Sequence, residues 1–343
     1  MTKNTSIYKK ILFSVAIFCV GVAICLCGVE MQLRQTAMTW DPQGLESGPR
    51  AHQHCYQPSI HTGYEAIPNT CERDAQGFYR TWKGTPPIDA LSILVYGDSI
   101  ADQHQWVQHT TTSISKQRQR TTITRNAGTP GFDTCSELET FLQHGLDVDA
   151  DVLVLQICPN DLAVSATIIP RPNDTVQLFV GWESVELPRW VLEYRVLTWI
   201  TLEILLRQAH ENDEKGGVRS SIEPMTYCLQ EFEKIATEKN MLFIPVLFPA
   251  FIDTFDDKDV VVSTKEYQLT ASMAESKTIE ILESLKMPYF SIRNVFTTHN
   301  MSLVEYRNVP GDMWHPNNEA QKIIGEDLGL YIVQQLQNST RVE

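Results

Sequence analysis

Four short motifs in this 343-residue chain carry side chains able to do chemistry. Gly97-Asp98-Ser99-Ile100 follows an apolar, β-favouring run, Ile93 to Tyr96. A glycine there permits a sharp turn that presents Ser99 at the carboxyl end of a strand. Asn126-Ala-Gly-Thr-Pro-Gly131 offers Gly128, whose bare backbone N–H can approach a ligand closely. Cys158-Pro-Asn-Asp161 offers Asn160, a neutral amide donor, with Asp161 as a turn-capping residue. Gly311-Asp-Met-Trp-His-Pro316 places Asp312 and His315 three residues apart, so on one helical turn the carboxylate would orient the imidazole.

These are the parts that acyl transfer from an ester requires. Serine is a weak nucleophile at neutral pH and needs a base such as His315 to take its proton. Asp312 would hold the imidazole in the right tautomer. The tetrahedral intermediate carries an oxyanion, to be met by the N–H of Ser99, the N–H of Gly128 and the amide of Asn160.

The motifs must be held at strand ends, and the hydrophobic pattern supplies the strands. Runs at 93–96, 121–125, 152–157, 242–248 and 289–292 read as strands, with helices near 100–117, 137–145, 227–238, 267–285 and 317–336 between and after them. Thr134 and Glu137 have capping-box spacing for the second of these helices. Five strands interleaved with helices imply a doubly wound, mainly parallel sheet. Ligands in such sheets bind outside the carboxyl ends of the strands. Residues 162–221 break the rhythm and read as an insertion, a cap or lid. Within it, 187–209 reads as a helix dense in Trp, Tyr and Leu. Its expected place is the core of the cap, since apolar stripes pack inward; a membrane-facing surface is the other reading.

Lys3, Lys9 and Lys10 precede an uncharged apolar run at 11–29 that Glu30 closes. Nineteen residues at helical rise span about 28 Å, close to the thickness of a bilayer core. The lysines place residues 1–10 in the cytoplasm and the rest of the chain outside it. The alternative is a cleaved signal peptide and a secreted product. Residues 30–88, rich in Pro and Gly, read as a stalk and cap, and residues 89–340 as the main domain. Most of the chain then lies in a disulfide-permissive compartment. Cys55 and Cys71 flank a stretch with little core of its own, which their pairing would order.

His52, His54, Cys55 and His61 lack zinc-ligand spacing and read as a solvated loop, so neither metal nor cofactor is expected. His104 and His109 read as surface or packing residues. The formal net charge of −14, with no basic stripe, argues against a nucleic-acid partner.

Taken together, the four motifs resemble those of the SGNH hydrolases, also called GDSL esterases/lipases. Gly97-Asp-Ser-Ile100 is similar to the serine block, Asn126–Gly131 to the glycine block, Asn160-Asp161 to the asparagine block and Asp312-Met-Trp-His315 to the Asp-x-x-His block, in family order. One position departs from the pattern: Cys158 stands where the family usually has glycine. The resemblance implies a flavodoxin-like three-layer α/β/α sandwich with a mainly parallel five-stranded sheet, here with an added N-terminal transmembrane helix. It also implies a Ser99–His315–Asp312 triad, with Ser99, Gly128 and Asn160 as the oxyanion hole. The expected activity is hydrolysis of an acyl or acetyl ester on a glycan or lipid outside the cytoplasm. Two other readings are an acyltransferase using the same serine, separated by product analysis with a sugar acceptor, and an idle membrane-tethered binding protein, which a fluorophosphonate probe would not label.

Overall fold

The computed structural model describes residues 3–35, 55–59, 62–162, 168–171, 173–180, 183–194, 196–201, 204, 222–252, 260–263 and 268–339. His52, His54 and His61 lie outside them. In chain order the strands are β1 (Tyr56–Ser59), β2 (Gly63–Ala66), β3 (Tyr79–Arg80), β4 (Leu91–Tyr96), β5 (Thr122–Asn126), β6 (Val152–Ile157), β7 (Ile168–Arg171), β8 (Thr175–Val180), β9 (Glu183–Pro188), β10 (Leu242–Leu247), β11 (Val260–Ser263), β12 (Gln268–Thr270) and β13 (Phe290–Ser291). The helices are α1 (Lys3–Gln35), α2 (Ser99–Asp102), α3 (Gln105–Arg118), α4 (Thr134–Thr140), α5 (Ile222–Glu238), α6 (Ala271–Ser284), α7 (Ile292–Thr298) and α8 (Asn318–Ser339).

The central sheet has six strands in the order β13-β10-β6-β4-β5-β3. The five expected strands are all parallel to one another. Their order, 2-1-3-4-5 counted from β4, is the flavodoxin-like one. The sixth is a finding: Tyr79–Arg80, within the stretch read as stalk and cap, pairs antiparallel with β5 and closes that edge. The strand order reverses at β4, with β5 added on one side of it and β6 on the other. The carboxyl ends of β4 and β6 therefore border the crevice where ligands bind in this topology.

Alternation along each strand divides the core into two layers. Leu94 and Tyr96 of β4 and Leu153, Leu155 and Ile157 of β6 face one side. There they pack with Leu138 and Phe141 near α4 and Met225, Leu229 and Phe232 of α5. Ile93, Val95, Val152 and Val154 face the other, against Trp106 and Ile114 of α3, Phe296 of α7 and Ile324 and Leu328 of α8. In α8, Gly325 lets α3 approach: a Cβ there would lie 2.5 Å from the Trp106 carbonyl oxygen. Outside the sheet, β7, β8 and β9 form a three-stranded antiparallel sheet within the 162–221 insertion.

The helix α1 is 33 residues long. Among its described side chains Phe13, Ile17, Phe18, Val20 and Ile24 are exposed. Among the described residues, no helix is long and apolar enough to cross a membrane. The side chains of residues 3–12, 14 and 16, in the first half of α1, are not among those described.

Cys55 and Cys71 are joined, as expected, with their Cα atoms 5.6 Å apart. A second bond, Cys135–Cys228, ties α4 to α5 across 93 residues. Cys158 is free and buried. Native, unreduced protein treated with iodoacetamide should leave all five of these cysteines unmodified. Peptide mapping that finds any of the four paired cysteines alkylated before reduction would refute the pairing.

Candidate active site

The turn out of β4 is shaped by Gln156 of β6. Its buried Oε1 accepts the Asp98 N–H at 2.9 Å. A Cβ on Gly97 would lie 2.5 Å from the same oxygen and 2.7 Å from the Ala101 Cβ, so only glycine fits the approach. Asp98 caps α2, accepting the Ile100 N–H at 2.8 Å, which fixes the backbone around Ser99. Ser99 is half-buried, and its Oγ lies 2.8 Å from Nε2 of His315. The His315 Nδ1 lies 2.9 Å from Oδ2 and 3.0 Å from Oδ1 of Asp312. The three residues expected to act together are thus brought into one relay.

The Asp312–His315 spacing works differently from the expected helical turn. Asp312 Oδ1 accepts the backbone N–H groups of Trp314 (3.0 Å) and His315 (3.1 Å), closing a tight non-helical turn. The helix α8 begins only at Asn318, with Asn317 Oδ1 accepting the Ala320 N–H. The turn is pinned from outside by Phe251 N–H to the Met313 carbonyl (2.7 Å) and Asn308 N–H to the His315 carbonyl (2.8 Å). Burial pushes the Asp312 carboxyl up. The Trp314 and His315 amides and the His315 ring outweigh it and hold the group below its ordinary value. Asp312 therefore stays ionised, and it favours a proton on Nδ1, leaving Nε2 to accept from Ser99.

Asn160 lies on the 3-10 turn Pro159–Leu162. Its side chain acts on the buried Asp98 carboxyl, one residue before Ser99, and partly offsets the rise that burial gives it. The cysteine in place of glycine does not disturb this turn. Cys158 has no positive φ, so its Cβ is accommodated. Burial pushes its thiol well above the ordinary range, so it is no nucleophile.

Gly128 has a partner within its own turn. It is buried, and its N–H donates to Asn126 Oδ1 at 2.9 Å rather than facing an oxyanion. The reason is the close approach of two backbones: a Cβ on Gly128 would lie 2.4 Å from the Asp102 nitrogen of α2. Asn126 also donates from Nδ2 to the Ala101 carbonyl at 2.7 Å, stapling this turn to α2. The exposed glycine of the turn is Gly131, with φ +78°.

The helix α4 is also capped differently from expectation. Asp133, not Thr134, accepts the Cys135 and Ser136 N–H groups. Thr134 Oγ1 instead donates to Asp161, which the Cys158 N–H also contacts, so Asp161 has the expected structural place. The Glu137 carboxyl is fully buried with neither oxygen hydrogen-bonded. Burial, then the neighbouring Asp161, Asp98 and Asp133, pushes it well above the carboxylate range. His104 is a packing residue, in line with the reading above. It accepts from Asn126 Nδ2 at 3.0 Å as the neutral imidazole, and burial, helped by Arg73, lowers its pKa to about 4.

Arg73 had no signal in the sequence. Its buried guanidinium donates to Asp102 Oδ1 (2.8 Å), the Gly128 carbonyl (2.8 Å), the Gly77 carbonyl (2.9 Å) and the Tyr56 hydroxyl (3.0 Å). It stacks 4.1 Å from the Tyr79 ring centroid. Asp102 also accepts from the hydroxyls of Tyr56 and Tyr79. The disulfide-closed segment before β3 thus braces α2 and the Gly128 turn from behind. Only a contact across 29 residues gives Arg73 its role. Among the described residues, no group of histidine, cysteine and carboxylate side chains could hold a metal ion.

No protein-family model matches the chain, and no curated protein matches it. Solved structures similar to it include lipases, acylhydrolases and esterases. One is a lipase/acylhydrolase from Enterococcus faecalis, 13% identical with a TM-score of 0.44, covering 71% of this chain and 96% of its own. An acetylxylan esterase from Geobacillus stearothermophilus is 11% identical with a TM-score of 0.42, covering 69% and 92%. A psychrotrophic esterase from Pseudoalteromonas sp. is 12% identical with a TM-score of 0.38, covering 72% and 98%.

Two measurements test this account. Arg73→Ala should lower stability to urea by about 2 kcal/mol or more, since it leaves the half-buried Asp102 without its cation and two carbonyls without their donor; a loss under about 1 kcal/mol would refute the brace. Glu137→Gln should be more stable than the parent above the ordinary carboxyl range. The folded-state pKa of Glu137 is raised, so its contribution is intact below the unfolded pKa and is lost as pH rises toward the folded one. The gap between the two proteins should therefore widen with pH, by at most about 1.4 kcal/mol per unit. A pH-independent gap would show that Glu137 titrates normally.

Proposed function

We propose that this chain is a serine ester hydrolase of the SGNH type, which removes acyl or acetyl groups from a glycan or lipid ester outside the cytoplasm. The observation that carries the proposal is the unbroken relay Ser99 Oγ–His315 Nε2 and His315 Nδ1–Asp312, on turns at the carboxyl end of a parallel sheet.

In this reading His315 Nε2 takes the Ser99 proton as Oγ attacks the ester carbonyl carbon. Asp312 stabilises the imidazolium that forms. Collapse of the tetrahedral intermediate expels the alcohol, which takes the proton back from Nε2 and leaves an acyl-serine. Water, deprotonated by His315, attacks that ester in turn and restores Ser99. The oxyanion is met by the Ser99 N–H and by Asn160. A side-chain amide nitrogen carries two protons, so Asn160 can hold Asp98 with one and the oxyanion with the other.

The N-terminal segment belongs to the same proposal: residues 11–29 anchor the chain in a membrane, with residues 1–10 inside, 30–88 as a stalk and brace, and 89–340 as the hydrolase domain bearing the 162–221 insertion. Three observations support it. The uncharged run lies within one continuous 33-residue helix; the described apolar side chains of that helix are exposed; and two disulfides within the ectodomain accord with an oxidising compartment.

Ser99→Ala and His315→Ala should each lower hydrolysis of a p-nitrophenyl acyl ester by about 10³-fold or more, with Asp312→Asn lowering kcat as well. Full activity in Ser99→Ala would end the assignment. An acyl-chain-length series on the full chain separates the substrate classes: preference for acetyl points to a glycan, preference for long chains to a lipid.

A further inference from the structure

The described residues of the 187–209 stretch do not form the inward-packed helix that its composition implies. A 3-10 turn, Arg189–Glu193, buries Val191 and Leu192, and the helical residues after it bury Thr198. The largest side chains face outward: Trp190 is 52% exposed, Tyr194 48%, Leu197 39%, Trp199 42%, Ile200 41% and Ile204 52%. Trp190 and Tyr194 meet edge to face, with ring centroids 6.1 Å apart. A contiguous apolar face of this kind marks a surface with something to cover it.

A single hydrogen bond says what covers it. The Val196 N–H, in the middle of this face, donates to Glu30 Oε2 at 2.8 Å. Glu30 is the first charged residue after the apolar run at 11–29. Wherever α1 leaves a hydrocarbon layer, the 190–204 face lies at that level. Trp and Tyr are the residues that favour that depth, because each joins an apolar ring to a polar N–H or O–H.

The face is also fastened to the enzyme. Arg189, at its polar edge, pairs with the buried Glu139 of α4 and with Asp174 of the insertion. The helix α4 itself leads off from the Gly128–Gly131 turn beside Ser99.

We propose that the Trp190–Ile204 face docks into the interface of the outer leaflet and fixes the orientation of the catalytic domain on the membrane. The inference rests on the anchor reading above. The consequence is that the Ser99 site is held at one height and attitude over the bilayer, rather than swinging on a stalk.

The test uses the full chain in lipid nanodiscs and tryptophan quenching by brominated acyl chains. With bromine near the headgroup end, the wild-type protein should be quenched, and Trp190→Phe/Trp199→Phe should lose that quenching while keeping its hydrolysis of a soluble ester. Tyr194→Trp, made in that double variant, should restore quenching and serves as an independent check. In a separate variant, Phe18→Trp should be quenched by bromine deep in the chains. If Phe18→Trp is quenched but the double variant is quenched as much as the wild type, and Tyr194→Trp adds nothing, the docking face is overturned and the anchor stands. A dimer in sedimentation alongside that result would identify a second copy as the occupant. If Phe18→Trp escapes quenching by deep bromine, the anchor reading fails and this inference falls with it.

Discussion

The turn between β4 and α2 has almost no spare room, and the rest of the site depends on that. On one side Gln156 takes its first N–H and leaves space only for Gly97. On the other, Gly128 lets the turn after β5 lie flat against α2, and Asn126 staples the two. Clamped between neighbouring strands, Ser99 has one direction in which to present its hydroxyl, and His315 meets it across 216 residues of sequence. A hydrogen bond of that span carries no local information. It forms because the sheet, α8 and the pinned 312–316 turn are each independently rigid.

Behind this turn lies a polar layer that a core of this size would not hold for stability alone. Arg73 gathers Asp102, Tyr56 and two carbonyls on one flank. Asp98, Asp133, Glu137 and Asp161 are buried on the other. So many carboxyls in a low-dielectric region cannot all ionise, and the raised Glu137 and Asp161 share the consequence. Asp98 is the member nearest the serine. It keeps its cap on α2 because four partners, led by the Ile100 amide, partly offset its burial. Rigidity at Ser99 and unfavourable burial behind it are one arrangement, since the same carboxyls that resist burial also fix the backbone.

The accessory segments follow the same logic of long-range fastening. The Cys55–Cys71 loop brings Arg73 to the back of α2. Cys135–Cys228 joins α4 to α5. Arg189 ties the insertion to α4. Each links a segment of weak local pattern to an element bordering the crevice, so the site is held from three directions by residues that are not part of it.

What the sequence determined by itself was the set of parts. Short apolar or β-branched runs marked all five parallel strands, because strands buried between two helix layers draw on those residues; β5 was legible by its β-branched Thr and Ile alone. The chemical types of Ser99, Asn160, Asp312 and His315 were legible, as was the place of the first two after strands and of the last two before the final helix. The short edge strand Tyr79–Arg80 was invisible, since it sits in a Pro- and Gly-rich stretch with no apolar run around it. Only the tertiary structure decided three matters. The Gly128 amide is claimed by Asn126, the side chains of Trp190, Tyr194, Trp199 and Ile204 face out rather than in, and Cys228 pairs with Cys135. In each case the deciding contact joins atoms whose proximity comes from the packed sheet and helices, and no spacing along the chain encodes it.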